Sequence, residues 1–357
     1  MLNVSLEIAR GLAALWVFIY HIRLGIDPGP LRSFANGGFL GVPLFFVISG
    51  YCMMASSRGV MAKGLPASAF LKRRLRRIFP PFWASILVVM AVPFVSSLVY
   101  AIRSGVYRWP NPPWEQFSWL DWVALWTLTK GLATQGAAHK PWAAVNAVYW
   151  SLAIEVQFYL VMYVALVFRR FFGAILIAVT VGSLLFWWRV GLIAPGLFPE
   201  YWPMFALGLL LYTVLRADYR PARLFGQRTV LMSALASIAL ALPVVAVVMY
   251  VPDESLYRQT LFAVACAFLF WLASGLEDVV PRDALISRGF MGLGKMSYSV
   301  YLLHIHVVSL VTGLVRLGIP RNMFSPFLYI AATLPFTYLF YQYCEKRYAM
   351  APRAAGK

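Results

Sequence analysis

Arg10-Gly11-Leu12-Ala13-Ala14-Leu15-Trp16-Val17-Phe18-Ile19-Tyr20-His21 is the stretch whose reading decides the fold. Between its two polar ends it offers only glycine, aliphatic and aromatic side chains, and it sits inside an apolar run of about 20 residues, the length of a bilayer-spanning helix. Arg10 and His21 are eleven positions apart. At 3.6 residues per turn that is about three turns, so both side chains project from one face, about 16 Å apart along the axis. Glu7 precedes Arg10 by one turn on the same side. Such groups are costly in hydrocarbon and face a bundle interior or a wet cavity. The rest of the chain is therefore expected to be a helical container for this face.

Composition agrees. The 357 residues are 61% hydrophobic and 12% charged, about half the charged share of a soluble domain. Length then sets a helix count rather than a domain count. The formal net charge of +18 does not point to nucleic acid. Most Lys and Arg stand in short loops between apolar runs, where they set topology and attract anionic lipid. Cys52, Cys266 and Cys344 show no paired or metal-like spacing, so neither a disulfide nor a metal is expected. The first apolar run should be retained rather than cleaved. Glu7 and Arg10 stand at its entry, and Trp16, Tyr20, His21 and Arg23 occupy the place where a cleavage site needs small residues.

Ten segments are long and apolar enough to span with some tilt: 6–25, 37–57, 80–102, 147–168, 171–190, 197–215, 229–251, 258–276, 296–317 and 324–344. The expected fold class is all-α, a polytopic membrane bundle of about ten transmembrane helices over 1–348 with a short cytoplasmic tail at 349–357. With the N-terminus inside, the inner loops hold Arg58, Lys63, Lys72 to Arg77, Arg169, Arg170, Arg216 to Arg228, Arg282, Arg288 and Lys295. The closing Lys346, Arg347, Arg353 and Lys357 fall on the same side, and the outer side holds about half as many. Both termini are thus expected in the cytoplasm. The one long connection, 103–146, lies outside. Its segment from Trp119 to Thr129 is too short to span and reads as an interfacial or re-entrant helix, its tryptophans either a membrane-interface belt or a platform for a sugar ring.

Four further stretches carry possible chemistry. In Phe45-Phe46-Val47-Ile48-Ser49-Gly50, Gly50 allows close helix approach and Ser49 can aim a hydroxyl at the cavity. Lys72-Arg73-Arg74-Leu75-Arg76-Arg77 puts five cations in six residues at a cytoplasmic boundary. It is either a lipid-binding collar or a phosphate clamp, in which Arg74 with Arg77, and Arg73 with Arg76, are i,i+3 neighbours. Ser151, Glu155 and Tyr159 share a helical face inside a strongly apolar run, so Glu155 is expected to pair with Arg10 or to orient His21. Ser297, Tyr301 and His304 also share a face. Gly289 to Lys295 nearly matches a nucleotide-binding loop, but Met296 replaces the required Ser or Thr and no strand precedes it.

In this order the stretches resemble the acyltransferase 3 family of membrane-bound acyltransferases, which includes O-acetyltransferases of bacterial surface and secreted polysaccharides. Arg10, Gly11 and His21 match its first-helix motif. Phe45, Phe46, Ser49 and Gly50 match Phe-Phe-x-x-Ser-Gly, and Arg74, Arg77, Ile78 and Pro80 match Arg-x-x-Arg-Ile-x-Pro. Trp150, Ser151, Leu152, Glu155, Phe158 and Tyr159 form a fourth match, and Ser297, Tyr298, Tyr301, Leu302 and His304 a fifth. Tyr343, Glu345 and Lys346 resemble the closing Tyr-x-Glu-Lys.

The resemblance implies acyl transfer, usually acetyl from acetyl-coenzyme A as co-substrate with no bound cofactor, to a carbohydrate hydroxyl in the bacterial inner membrane. The expected partners are acyl-coenzyme A, a glycan acceptor, membrane lipids and polysaccharide-assembly machinery. It also implies that Arg10 and His21 are essential. His21 is the expected base, with Arg10 and Glu155 in the chemistry and Arg73, Arg74 and Arg77 on the donor. Ser49, Ser151, Tyr159, Ser297, Tyr301 and His304 are expected to line or support the cavity. Some family members carry a soluble esterase-like domain after the membrane part, and this sequence stops about a dozen residues past its last expected span. A glycan-precursor transporter would show paired, repeat-related polar sites, and the sequence has none.

Overall fold

A computed structural model describes residues 4–129, 144–190, 197–250, 255–280, 284–315 and 325–349, and the described part of each of the ten apolar segments is largely helical. The helices are α1 (Val4–Ile22), α2 (Pro30–Asn36), α3 (Gly41–Ala62), α4 (Ala67–Ser104), α5 (Trp119–Thr127), α6 (Tyr149–Val167) and α7 (Phe172–Val190). They continue with α8 (Phe198–Arg216), α9 (Thr229–Tyr250), α10 (Leu256–Ala273), α11 (Leu285–Lys295), α12 (Ser297–Val315) and α13 (Ser325–Phe340). No strand occurs among the described residues. Seven helices in the described residues are long and apolar enough to cross a membrane, so the chain is a multi-pass membrane protein. Of the other three expected spans, α8 carries Glu200, two prolines and Arg216, α12 contributes the shorter apolar helix Ser297–Leu310, and α13 has 16 residues before a π-helical turn, Tyr341–Glu345.

One boundary differs from expectation. The span expected at 80–102 is the inner part of α4, a helix of 38 residues and therefore about 57 Å long against a hydrocarbon core of about 30 Å. The basic stretch is not a loop but the opening turns of that helix, because Lys, Arg and Leu favour helix. Pro80 and Pro81 lie inside it, and the Tyr298 hydroxyl donates to the Ile78 carbonyl just before them at 3.0 Å. Gly105 ends α4 with φ 71°, its N–H on the Ala101 carbonyl, a left-handed cap that costs glycine little.

The short helix α5 has nine residues opened by a capping box between Ser118 and Asp121. Trp119, Leu120 and Val123 are exposed while Leu125 is buried, and the Trp83 indole donates to the Trp126 carbonyl at 3.0 Å. It is too short to span. Residues 130–143 of the same connection and 350–357 of the tail lie outside the described residues.

Small residues let α1 and α3 sink into the bundle. Gly11 lies against Leu293 and Gly294 of α11, and Gly41 against Ala13 and Val17 of α1. Where α3 crosses α8, a Cβ on Gly50 would strike the Phe205 carbonyl and one on Gly208 the Val47 carbonyl. Distant side chains close the helix ends. The Glu277 carboxylate accepts from Val4 N at 2.6 Å and from Ser5 N and Oγ at 3.3 and 2.6 Å. Glu345 accepts from Ser299 N at 3.0 Å and from Ser299 Oγ. The Arg258 guanidinium donates to the Val247 and Val248 carbonyls near the end of α9 at 3.2 and 3.1 Å. Each places charge where a helix terminus has unsatisfied groups and a complementary dipole.

Gly208→Leu should force α3 and α8 apart and lower the melting temperature of the purified protein, at a cost of about 1–3 kcal/mol or more. Gly173→Ala, at a helical glycine with nothing near its missing Cβ, should leave the melt unchanged.

Candidate active site

Five helices meet around a buried cavity of about 110 Å³. α1 supplies Arg10, α3 supplies Phe45, Phe46, Ser49 and Cys52, and α4 supplies Arg74, Arg77 and Ile78. α6 supplies Ser151, Glu155 and Tyr159, and α12 supplies Ser297, Tyr298 and Tyr301. The i,i+4 spacing of Ser151, Glu155 and Tyr159 puts all three on the cavity face of α6. The i,i+3 spacing of Arg74 and Arg77 does the same on α4. Arg73 and Arg76 point the other way. Arg73 is exposed with its Nε on the Ala69 carbonyl at 2.9 Å, and Arg76 stacks over Tyr348 at 5.9 Å. Arg73, expected on the donor, is therefore not part of this cavity. At 100° per residue it lies about 100° around the helix from Arg74 and about 40° from Arg77, at the edge of the inward face, and its side chain turns out to the Ala69 carbonyl.

The lining carries three guanidinium groups and one carboxylate. Glu155 Oε1 accepts from Ser49 Oγ at 2.9 Å and from the Tyr159 hydroxyl at 2.8 Å. It makes neither of the expected direct contacts. Arg10 pairs instead with Glu7, its neighbour one turn back, at 2.7 Å, and donates from Nη2 to Cys52 Sγ at 3.6 Å. Arg74 Nη2 donates to the Cys52 carbonyl at 3.1 Å and its guanidinium lies over the Phe70 ring. Neither Arg74 nor Arg77 has a carboxylate within ion-pair distance among the described residues. The cavity thus presents excess positive charge on rigid helices in a low-dielectric site, which suits an anionic ligand with phosphate-like oxygens.

His21 lies outside this lining, at the far end of α1. Its ring partner is His304 of α12: His304 Nε2 stands 3.1 Å from His21 Nδ1, and the ring centroids are 4.9 Å apart. His304 is fully buried. Of the three α12 residues expected to act together, Ser297 and Tyr301 line the cavity while His304 sits behind Tyr301, the two ring centroids 6.1 Å apart. Tyr301 is itself fixed, its hydroxyl 2.6 Å from Ser151 Oγ and 3.0 Å from the Val148 carbonyl. Its ring also lies 6.0 Å from that of Phe45, so Tyr301 touches both the cationic cavity and the histidine pair.

Cys52 and the meeting of His21 with His304 were not read from the sequence. The two histidines are 283 positions apart, and no local pattern links them. Among the described residues no group of three or more His, Cys, Asp or Glu side chains could hold a metal ion.

A family model described as an acyltransferase domain matches residues 3–342. The chain is 26% identical to the peptidoglycan O-acetyltransferase OatA of Listeria monocytogenes, over 96% of this chain and 55% of that protein. It is 28% identical to a putative peptidoglycan O-acetyltransferase of Bacillus subtilis, over 88% of this chain and 50% of that protein. A putative O-acetyltransferase of Staphylococcus aureus is 25% identical over 96% of this chain and 56% of its own length. The chain spans about half the length of these curated relatives. No solved structure matches it.

Glu155→Leu should strip the acceptor from Ser49 and Tyr159 and leave the arginines of the cavity without their facing carboxylate. The expected loss is about 1–3 kcal/mol, read as a lower melting temperature of the purified protein, with Glu155→Gln intermediate.

Proposed function

The chain belongs to the acyltransferase family, and we propose that it transfers an acetyl group from cytoplasmic acetyl-coenzyme A to a carbohydrate hydroxyl. In this reading it is a multi-pass protein of a bacterial cytoplasmic membrane with both termini inside. The acceptor is presented from the outer side as a cell-surface glycan, of which the peptidoglycan named for two relatives is the nearest instance. One observation supports the reading: Arg74 and Arg77 turn into a cavity whose lining holds three guanidinium groups against the single carboxylate of Glu155, and neither of the two is in an ion pair among the described residues.

The coenzyme phosphates bind at Arg74 and Arg77, whose guanidinium forks suit phosphate oxygens. The pantetheine arm enters the bundle along α1 and carries the thioester toward His21. Arg10, anchored by Glu7, lies along that path and can steady the acyl oxygen. His21 takes the proton of the acceptor hydroxyl. The oxygen attacks the acyl carbon, the carbon–sulfur bond breaks, and the coenzyme thiolate leaves toward the cytoplasm.

The test is labelled acyl transfer from acetyl-coenzyme A to cell-surface glycan in membranes. His21→Ala should reduce kcat by about 10²–10⁴-fold with the protein still inserted. Arg74→Ala with Arg77→Ala should raise the donor KM at least tenfold, as expected for losing charge-assisted hydrogen bonds of about 1.5–3 kcal/mol each. Arg73→Ala with Arg76→Ala should leave it unchanged. Equal effects from the two arginine pairs would make the basic stretch a lipid collar and remove the donor site from this cavity.

A further inference from the structure

We propose that His304 is a positioning residue that holds the proton of His21 on Nδ1 and so turns the Nε2 lone pair of His21 toward the acceptor hydroxyl. This rests on the reading of His21 as the base. The assignment follows from which groups can only accept. His304 Nδ1 lies 3.0 Å from the Val300 carbonyl and 2.9 Å from the Tyr301 carbonyl. Two carbonyl oxygens cannot donate, so Nδ1 of His304 carries the hydrogen. In the neutral ring the lone pair is then on Nε2, which faces His21 Nδ1 at 3.1 Å. His21 Nδ1 is also 2.8 Å from the Val17 carbonyl, again an acceptor. It therefore carries a hydrogen shared between Val17 and His304, and the remaining lone pair of His21 is on Nε2. That nitrogen has no hydrogen bond among the described residues.

The order of the pair is fixed by burial. His304 is wholly enclosed and its Nε2 is spent on His21, so no acceptor can reach it. His21 is only partly buried. Packing locks the donor and the acceptor ring alike: the Phe18 ring meets His304 edge-on at 5.7 Å, and Tyr20 meets His21 at 5.3 Å. When His21 takes a proton on Nε2, its Nδ1–H bond to His304 becomes charge-assisted and strengthens. A neutral imidazole thereby does the orienting job that a carboxylate does in a Ser-His-Asp triad, without placing a second charge in the membrane.

The full-length protein in membranes tests this with three variants. His304→Leu removes the acceptor and should lower kcat about 10–100-fold, the usual effect of losing an orienting partner, with the donor KM unchanged because the arginine cavity is intact. His304→Gln places an amide oxygen at nearly the reach of Nε2 and should recover most of that loss. His21→Ala separates the two ideas. Activity surviving in His21→Ala overturns the reading of His21 as base. An inactive His21→Ala beside a fully active His304→Leu overturns only the role of His304. A His304→Gln protein that melts like wild type yet turns over no faster than His304→Leu also overturns it. If His304→Leu does not fold, loss of most of the activity in a folded His304→Gln is the overturning result.

Discussion

An arginine held inside a hydrophobic bundle is the constraint on which the rest of the structure depends. Arg10 stands mid-helix among apolar side chains, where an uncompensated guanidinium is very costly. Glu7 one turn back on the same helix answers it at 2.7 Å, so α1 carries its own counter-charge. That leaves the other groups free for different work. Glu155 is occupied by two hydroxyls, and Arg74 and Arg77 remain without acidic partners. A cavity neutralised from within would not attract an anion. This one keeps its surplus because the single close ion pair of its wall lies between neighbours on α1.

Helix α1 also sets the distance between the two parts of the site. Arg10 belongs to the cationic cavity and His21 to the histidine pair, and about 16 Å of helix separates them. Their alignment depends on anchors at the helix starts. Glu277 caps α1, and Glu345 holds the first turn of α12. These two helices carry His21 and His304. A contact of 3.1 Å between rings on different helices requires both helices to keep their axial position, and two buried carboxylates at their ends supply that.

Much of this was legible in the sequence where one helix decides the outcome. The 3.6-residue period put Ser151 with Glu155 and Tyr159 on a common face, and all three line the cavity, whereas Arg10 lines it and His21, expected on the same face of α1, does not. What needs two helices was not legible. Arg73 and Arg76 have the same i,i+3 spacing as Arg74 and Arg77, and only the packing of α4 against α3 and α6 selects the inward pair. Glu155 read as a buried carboxylate, yet its partners depend on Ser49 from α3. Glu277 lies 273 positions from the amide it caps, and nothing local marks it. The start of α4 was misplaced because charge suggested a loop, whereas Lys, Arg and Leu are good helix formers.

The separation of the two parts has a chemical logic. An activated acyl thioester is exposed to hydrolysis wherever water and a base meet it. Tyr301 lines the arginine cavity and packs against His304, and it is pinned by Ser151 and the Val148 carbonyl. In the proposed reading the donor binds at the arginines before it meets His21. A ring held in this way costs little entropy to keep in place, because it has few rotamers and its hydroxyl is already bonded. Transfer in that reading requires the acyl carrier to pass Tyr301. An arm that is long, thin and flexible beyond its phosphate anchor can do so, and a compact donor held at the same arginines cannot.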